Sequence, residues 1–358
     1  MQKKIIVLAI AAAMTAPAIA LADASVYGIV DMAAANVSGD GTKSDMNFLS
    51  GGLSTSRLGV NAAEDVGNGM KASVNLEVKL DTSQSAGLGT ARQQMVGLSG
   101  NFGTVNAGYL QTTGYYWAAK FNPVEGSSVS PLNNVVKGGG FLISAASGYN
   151  RLSHAIGYNS PNFSGVTIGA NYSAGVGDVT NIGHADNVAT GLKTTAYMLS
   201  VNWEGGPAAA GFVYTKSTND STPIVPTASE YALGGSYDFG VAKAFATYQS
   251  NTPSGTANDT ASKAYSVSAT APAGPGTAVV SYAKSNMATT ATSASGYTLA
   301  YLYDMSKTVT LYGAYSHMGQ DSNTNANSVA GGALSGTASA LTLGGSSAIV
   351  AVGIRKKF

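Results

Sequence analysis

The sequence of 358 residues has no cysteine and little charge. Without cysteine, disulfide frameworks, thiolate metal sites and cysteine nucleophiles are excluded. Charged residues make up 10% of the chain, compared with about 25% in soluble proteins. The net charge of +1 gives no general attraction for nucleic acid, so no nucleic-acid partner is expected. After the N-terminal segment no run of about 20 apolar residues is long enough for a transmembrane helix. What the chain does contain is 45 Gly and 19 Tyr, with abundant Ser, Thr, Ala and Asn.

The N-terminal segment is typical of an export signal. Two lysines precede an apolar run over residues 5–13, and an Ala-Leu-Ala sequence ends at Ala22. A basic start, a short apolar core and a small-x-small site are the parts of a secretory signal peptide. The run is too short for a single membrane anchor, which is the alternative. We therefore predict a signal peptide over residues 1–22, followed by one folded unit over residues 23–358.

From residue 24 onward, apolar and polar residues alternate along many segments. Residues 70–81 show this most clearly, because the even positions read Met, Ala, Val, Leu, Val, Leu and the odd positions read Lys, Ser, Asn, Glu, Lys, Asp. Successive side chains of a strand point to opposite faces, so this segment separates an apolar medium from a polar one. The pattern predicts five side chains on the inner, polar side of the fold, namely Asn61, Lys71, Asn75, Glu77 and Lys79.

Short and long connections alternate between these segments. Short turns lie near residues 67–69, 101–103, 161–165, 204–207, 238–240, 272–276 and 304–307. Longer polar stretches lie at residues 112–149, 177–191, 218–228, 251–262 and 318–345. Short connections on one side and long loops on the other are typical of an outer-membrane barrel. Tyrosines near the strand ends suit the membrane interfaces.

Counting the alternating segments gives about sixteen strands, an even number that puts both chain ends on one side. The last strand must close against the first, because an open edge in lipid leaves backbone groups unpaired at several kcal/mol each. A barrel of about sixteen strands is wide enough to hold an aqueous lumen. The sequence therefore predicts an all-β fold, a 16-stranded antiparallel transmembrane β-barrel.

Four stretches of the chain, residues 24–31, 56–72, 92–105 and 353–358, carry a family resemblance. The most specific of them reads Arg-Gln-Gln-Met-Val-Gly-Leu-Ser-Gly-Asn-Phe-Gly-Thr-Val. Together they resemble the general porins of Gram-negative bacteria, particularly those of the β-proteobacterial and neisserial type. The match spans the chain after the predicted signal peptide and is strongest in its first half.

The resemblance implies a homotrimer of barrels in outer-membrane lipid. It further implies a long third loop, here residues 112–149, that folds into each pore and narrows it. The terminal Phe358 would belong to the signal read by the barrel-assembly machinery. The implied function is passive diffusion of small hydrophilic solutes and ions across the outer membrane, with no cofactor and no catalysis.

Arginine placement points to a pore constriction independently of the resemblance. Of the 19 basic residues only four are arginine, namely Arg57, Arg92, Arg151 and Arg355. The first three lie on predicted strands, at positions that alternate with apolar residues. Because the apolar residues are expected to face outward, these arginines are expected to face inward. For Arg92, the residue expected to face outward is Met95. Arginine keeps its charge at physiological pH and presents rigid donors, which suits a fixed field at a pore waist. In the resembled family these arginines face the third loop, whose best acidic candidate here is Glu125. The predicted constriction is therefore Arg57, Arg92, Arg151 and Glu125.

Two positions depart from the family pattern. Tyr109 and Asn61 stand where many relatives carry arginine. The basic cluster is therefore thinner than usual, and strong anion selectivity is not implied.

Other chemistries find little support in the sequence. The histidines, His154, His184 and His317, lack metal-ligand spacing, so no metal site is predicted. No Gly-x-Ser-x-Gly elbow is placed convincingly for a hydrolase.

Three alternatives stay open. One is a substrate-specific channel with a solute track starting at Tyr115, Tyr116 and Trp117. Another is a plugged barrel that acts as adhesin or receptor through long loops such as residues 318–345. The third is a secreted soluble β-protein.

Overall fold

The computed structural model describes residues 23–40, 42–85, 88–136, 141–144, 149–176, 186–187, 192–219, 227–254, 260–288, 292–321 and 344–358. The predicted signal peptide over residues 1–22 lies outside the described residues and stays a prediction. The same holds for most of the loop over residues 318–345.

The described chain is antiparallel β-structure with two short helices. Its strands are β1 Ser25–Gly39, β2 Thr42–Ser50, β3 Arg57–Gly67, β4 Met70–Leu80, β5 Leu88–Gly100, β6 Gly103–Gln111, β7 Arg151–Asn159, β8 Val166–Ser173, β9 Asp186–Asn187, β10 Leu192–Gly205, β11 Ala208–Asn219, β12 Thr227–Asp238, β13 Lys243–Ser254, β14 Ser262–Ala273, β15 Gly276–Met287, β16 Thr292–Ser306, β17 Val309–Gln320 and β18 Ser346–Lys357. The helices are α1 Thr113–Phe121 and α2 Pro131–Val136. No described helix has the length and apolar character needed to span a membrane.

The eighteen described strands occupy sixteen positions around a closed barrel. β1 pairs with β18 over eleven residues, which closes the sheet. On its other edge β1 pairs first with β3 and then with β2, so β2 and β3 form one barrel strand interrupted by residues 51–56. The two-residue β9 pairs with the start of β10 and adds no wall position. The predicted sixteen-stranded barrel is confirmed, although the sequence placed the second strand at residues 54–66 and missed β2.

The short turns lie on the side of the chain termini and the long loops lie on the other side. In the turn between β3 and β4, Gly67, Asn68 and Gly69 have φ angles of 86°, 55° and 72°. Glycine and asparagine adopt this left-handed region at least cost, which explains the Gly-Asn-Gly sequence.

The outward face of the barrel is apolar. Leu76, Leu199, Leu299 and Val352 expose between 49% and 65% of their surface there. Tyrosine rings pair across neighbouring strands on this face, with centroid distances of 5.9–6.4 Å. The paired rings are Tyr197–Tyr214, Tyr231–Tyr248, Tyr265–Tyr282 and Tyr297–Tyr315. An apolar band with a row of tyrosines is the exterior of a barrel that sits in lipid.

The inward face divides into two arcs. Over β10–β17 the residues of the third loop cover the wall, and the wall there carries small or apolar side chains such as Val213, Ala232 and Ala283. We call this part the covered arc. Over β3–β5 the wall carries charged side chains, namely Arg57, Lys71, Glu77, Lys79 and Arg92. We call this part the open arc.

A β-bulge shapes the open arc. Glu77 pairs with Gln93 and Val78 pairs with Ala91, so Arg92 is an extra residue in β5. Arg92 is buried on the inner wall, and the bulge turns Met95 inward as well, where it packs beside a buried inner cluster. The expectation that Met95 faces outward was therefore wrong, because a bulge shifts side-chain parity.

Introduced cysteines test this division of faces, since the chain has none of its own. We expect Asn61→Cys in reconstituted vesicles to react with a small water-soluble maleimide, because Asn61 is exposed inside the barrel. Leu299→Cys should resist the reagent until the barrel is unfolded, since its outward side chain lies among acyl chains. Mass spectrometry of the adducts measures both rates. Equal rates at the two positions would contradict the assignment.

Candidate functional site

Two of the three predicted constriction arginines, Arg57 and Arg92, lie around one glutamate of the open arc. Arg92 Nε donates to Glu77 Oε1 at 2.6 Å, and Arg57 Nε lies 3.9 Å from Glu77 Oε2. The Arg92 and Glu77 side chains are only 8% and 6% exposed, whereas Arg57 is 21% exposed. One carboxylate therefore faces two guanidinium groups, which leaves positive charge in excess.

Neutral polar groups complete the bonding of Glu77. Tyr27 Oη donates to Glu77 Oε2 at 3.0 Å, and Asn75 Nδ2 donates to Tyr27 Oη at 3.0 Å. Asn75 Nδ2 also donates to Asn61 Oδ1. Of the predicted inner residues, Asn61, Asn75 and Glu77 thus form one network. Lys71 and Lys79 lie further along the same face of β4, where both are exposed.

Arg151 extends the cluster toward the third loop. Its Nε donates to the Arg92 carbonyl oxygen at 2.8 Å. Its guanidinium lies 5.2 Å from the Tyr115 ring centroid, a cation–π arrangement. Tyr115 and Tyr116 of α1 meet edge to face at 5.7 Å. The basic residues and the aromatic face of α1 therefore border the same part of the lumen.

Tyr116 presents a neutral surface to this part of the lumen. Its side chain is half exposed. Partial desolvation by the protein around it, with a smaller effect of Tyr115, raises the pKa of Tyr116 to about 12. The phenol therefore stays protonated at physiological pH.

Helix α1 lies against the covered arc by one face. The Thr112 side chain accepts a hydrogen bond from the Tyr115 N–H at 3.2 Å and caps the helix, as is common at N-termini. Trp117 and Phe121, four residues apart, are 1% and 0% exposed against the wall. Lys120 forms an ion pair with Glu204 of β10. The same helix thus buries one face and offers the other to the lumen.

A buried carboxyl group holds the returning part of the third loop. Glu230 of β12 is 1% exposed and accepts the backbone N–H of Leu142. Gln249 Nε2 donates to Glu230 Oε1 at 3.1 Å and also to the Ile143 carbonyl oxygen. Asn251 Nδ2 donates to Glu230 Oε2 at 3.3 Å. Residues 141–144 are therefore anchored to β12 and β13.

The middle of the third loop rests on two further supports. Residues 51–56 are held by Asp31, whose carboxylate accepts from Ser54 N at 2.7 Å and from Tyr312 Oη. The loop contacts this segment through Ser128 N, which donates to the Gly52 carbonyl oxygen at 3.3 Å. On the barrel wall, Ser285 Oγ of β15 donates to the Val135 carbonyl oxygen at 2.7 Å.

Glu125 lies in the turn between α1 and α2. It accepts a hydrogen bond from Asn122 Nδ2 at 2.5 Å. In the described residues, the acidic partner of Arg57 and Arg92 is Glu77 rather than Glu125. Sequence reasoning named Glu77 only as an inner residue, because the register that sets it beside Arg92 depends on the bulge. It did not identify Tyr27 or Glu230, and neither carries a local signal.

Metal chemistry has no evident location in the described part of the chain. No group of three or more His, Asp or Glu side chains comes together there in a way that could hold an ion.

A closed β-cylinder that is apolar outside, charged inside and lined by an inner loop defines a transmembrane channel of the outer-membrane type. A sequence profile of the Gram-negative porin family matches residues 8–325. The chain belongs to this family, and its place is the outer membrane.

Relatives with curated names agree with this assignment. The chain is 31% identical over 321 residues to outer membrane porin protein 32 of Delftia acidovorans, covering 87% of this chain and 88% of the relative. It is 26% identical over 289 residues to an outer membrane porin protein of Bordetella pertussis, covering 70% of each chain.

Solved structures show the same architecture. An anion-selective porin from Comamonas acidovorans superposes with a TM-score of 0.75 at 26% identity, covering 94% of this chain and all of that one. The trimer form of OmpT, an outer membrane protein of Vibrio cholerae, superposes with a TM-score of 0.65 at 17% identity, with coverage of 94% and 100%. The second likeness shows the fold alone.

Removing the Glu230 carboxyl group should loosen the third loop. In Glu230→Ala, Leu142 N and Asn251 Nδ2 lose the acceptor that Glu230 provides, at about 1–3 kcal/mol for each group left unsatisfied, and Gln249 Nε2 keeps only the Ile143 carbonyl oxygen. We expect more frequent brief current interruptions in single-channel recordings. Glu64→Ala is the control, because Glu64 is an exposed glutamate of β3 remote from the loop. Recordings as quiet as those of the control would contradict the anchoring role.

Proposed function

We propose that this porin lets small hydrophilic solutes and ions diffuse passively across the outer membrane. The observation that carries the proposal is the open arc, where charged side chains border the same lumen as the half-exposed Tyr116. Ions exchange part of their hydration shell for wall groups of this kind during passage. The family and the names of its relatives point to a channel rather than an enzyme.

The third loop sets the size limit in this proposal. Its support is the anchoring at three places: Glu230 for residues 141–144, residues 51–56 for the middle, and the covered arc for α1. A loop bonded at several points gives a fixed aperture, because each bond must break before the aperture changes.

The constriction residues are Arg57, Arg92, Arg151 and Glu125. Arg57 and Arg151 contribute most of the field, since Glu77 offsets the charge of Arg92 at 2.6 Å. We expect a moderate preference for anions. The likeness to a porin named anion-selective supports this direction, while Glu77 limits the magnitude.

The assembly is a homotrimer in this proposal, as in the trimer form of OmpT. Phe358 belongs to the signal read by the barrel-assembly machinery. It stands where the barrel closes, because its N–H donates to the Gly28 carbonyl oxygen at 3.1 Å and its carbonyl accepts from Gly28 N at 3.0 Å. The exposed ring of Phe358 is accessible to such a partner.

A solute-specific channel is less well supported. The track suggested by Tyr115, Tyr116 and Trp117 would need three rings open to the lumen. Trp117 is 1% exposed and packs on the wall, so two rings are left for contact with a solute. Saturable block of the current by a sugar or an organic acid would favour this alternative.

Planar-bilayer recording tests the proposal directly. Purified protein should insert and conduct in ohmic steps, because the proposed diffusion channel gives ions a continuous aqueous path. A protein that inserts without conducting would refute the diffusion channel.

Substitution of the charged residues tests their role in selectivity. In a salt gradient, the double variant Arg57→Gln, Arg92→Gln should shift the reversal potential toward cations, because two positive charges are removed from the constriction. Glu77→Gln should shift it toward anions, since both arginines lose their partner. Lys71→Gln is the matched control, a loss of one positive charge nearer the turn of β3 and β4, and should change the potential least. Heat-dependent mobility on gels shows whether each variant is folded. Identical potentials in all four proteins would rule out the constriction role of these residues.

A further inference from the structure

Two inward glycines of the covered arc face each other where α1 packs. Gly211 of β11 and Gly234 of β12 are paired in register. Neither has a positive φ angle, so their backbone is ordinary strand that any residue can adopt. What the chain gains from glycine at these positions is therefore space, since glycine inside a strand marks a close approach of another group.

The space is filled by the two large rings of α1. A Cβ atom on Gly234 would come within 2.5 Å of Phe121 Cδ2 and 2.9 Å of Trp117 Cζ2. A Cβ atom on Gly211 would come within 2.6 Å of Phe121 Cε2 and 2.8 Å of Trp117 Cδ1, and also within 2.6 Å of Asn202 Oδ1 on the neighbouring strand. Side-chain carbons do not approach so closely, so an added methyl group would displace the rings or the helix.

The rings have little freedom to move aside within the wall. Trp117 and Phe121 pack with Met198, Val213 and Ala232 in one buried cluster. In a close-packed cluster of this kind, extra volume is accommodated by shifts of backbone and neighbouring groups. The free direction for α1 is toward the lumen, where Tyr116 is exposed.

We infer that Gly211 and Gly234 set the cross-section of the pore by letting α1 lie flush against the barrel wall. They are positioning residues, since they act through Trp117 and Phe121 and not by contact with a solute. Any side chain at either position moves the aromatic face of α1 toward the arginines of the open arc and narrows the passage. The inference rests on the proposed function, in which the third loop sets the size limit.

The test compares Gly234→Ala with Gly313→Ala. The two substitutions are identical, and Gly313 lies in β17 with no atom within 4 Å of an added Cβ. We expect Gly234→Ala to lose single-channel conductance while Gly313→Ala keeps the wild-type value. In vesicle swelling assays with neutral sugars of increasing size, the loss of uptake rate in Gly234→Ala should grow with the size of the sugar. Gly211→Ala is a second variant that probes the same contact where Gly234→Ala folds poorly.

A double-mutant cycle of Gly234→Ala and Phe121→Ala separates the positioning role of Gly234 from general damage to the barrel. In the Phe121→Ala background the nearer of the two rings is absent, and the space that it leaves lets Trp117 yield to the new methyl group. Gly234→Ala should therefore change conductance and size dependence much less there than in the wild-type background. Unchanged conductance in Gly234→Ala, increased conductance, or an equal loss in both backgrounds would overturn the inference. A wild-type protein that fails to conduct would instead refute the proposed function, so the two failures are distinguishable.

Discussion

The closure of β1 against β18 is the constraint on which the rest of the structure depends. Lipid offers no hydrogen bonds to the backbone, so a sheet that crosses it must satisfy every edge internally. Eleven residue pairs join the first and last strands, and the terminal Phe358 adds a reciprocal pair of bonds with Gly28. Once the edges are closed, alternate side chains must face two different media. The outward apolar band and the inward polar wall both follow.

A barrel of this width cannot be filled by its own wall side chains, and the third loop divides the remaining space. Where the loop lies on the wall, small residues such as Gly211, Gly234, Val213 and Ala232 leave room for the rings of α1, and polar residues such as Glu230 and Ser285 bond to the loop backbone. Where the wall stays open, it carries the charged side chains. A charged group that leaves water needs bonding partners in exchange. Beneath the loop Glu230 accepts hydrogen bonds from Leu142, Gln249 and Asn251, and in the open arc the nearly buried Arg92 and Glu77 bond to each other.

The sequence specifies the features that arise from period-two alternation. Strand number, the apolar face with Leu76 and Val78, and the loop bounds near residues 112–149 all follow from pattern and turn residues. The features it does not specify depend on register or on tertiary contact. The bulge at Arg92 inverts the parity of Met95, and no local residue signals it. The strand β2 and the inward segment over residues 51–56 depend on Asp31 and Tyr312, which are far apart in sequence. In the sequence, Glu230 is one polar residue of an alternating strand. Its role as the acceptor that anchors residues 141–144 arises only from the contact with the third loop.

The position of Glu77 changes the electrostatic character expected of the waist. If Glu125 on the third loop were the bonded partner of the arginines, most of the field would run across the lumen. Glu77 lies on the same wall as Arg57 and Arg92 and bonds to Arg92 directly, so part of the field closes within the wall. The charge left to the lumen is that of Arg57 and Arg151, with the neutral phenol of Tyr116 exposed near them. In the proposed constriction, a passing anion would meet attraction from one side and a polarisable ring nearby, an arrangement that favours entry without strong retention. Weak retention is what a diffusion channel requires, because a solute held tightly at the waist would block the solutes behind it.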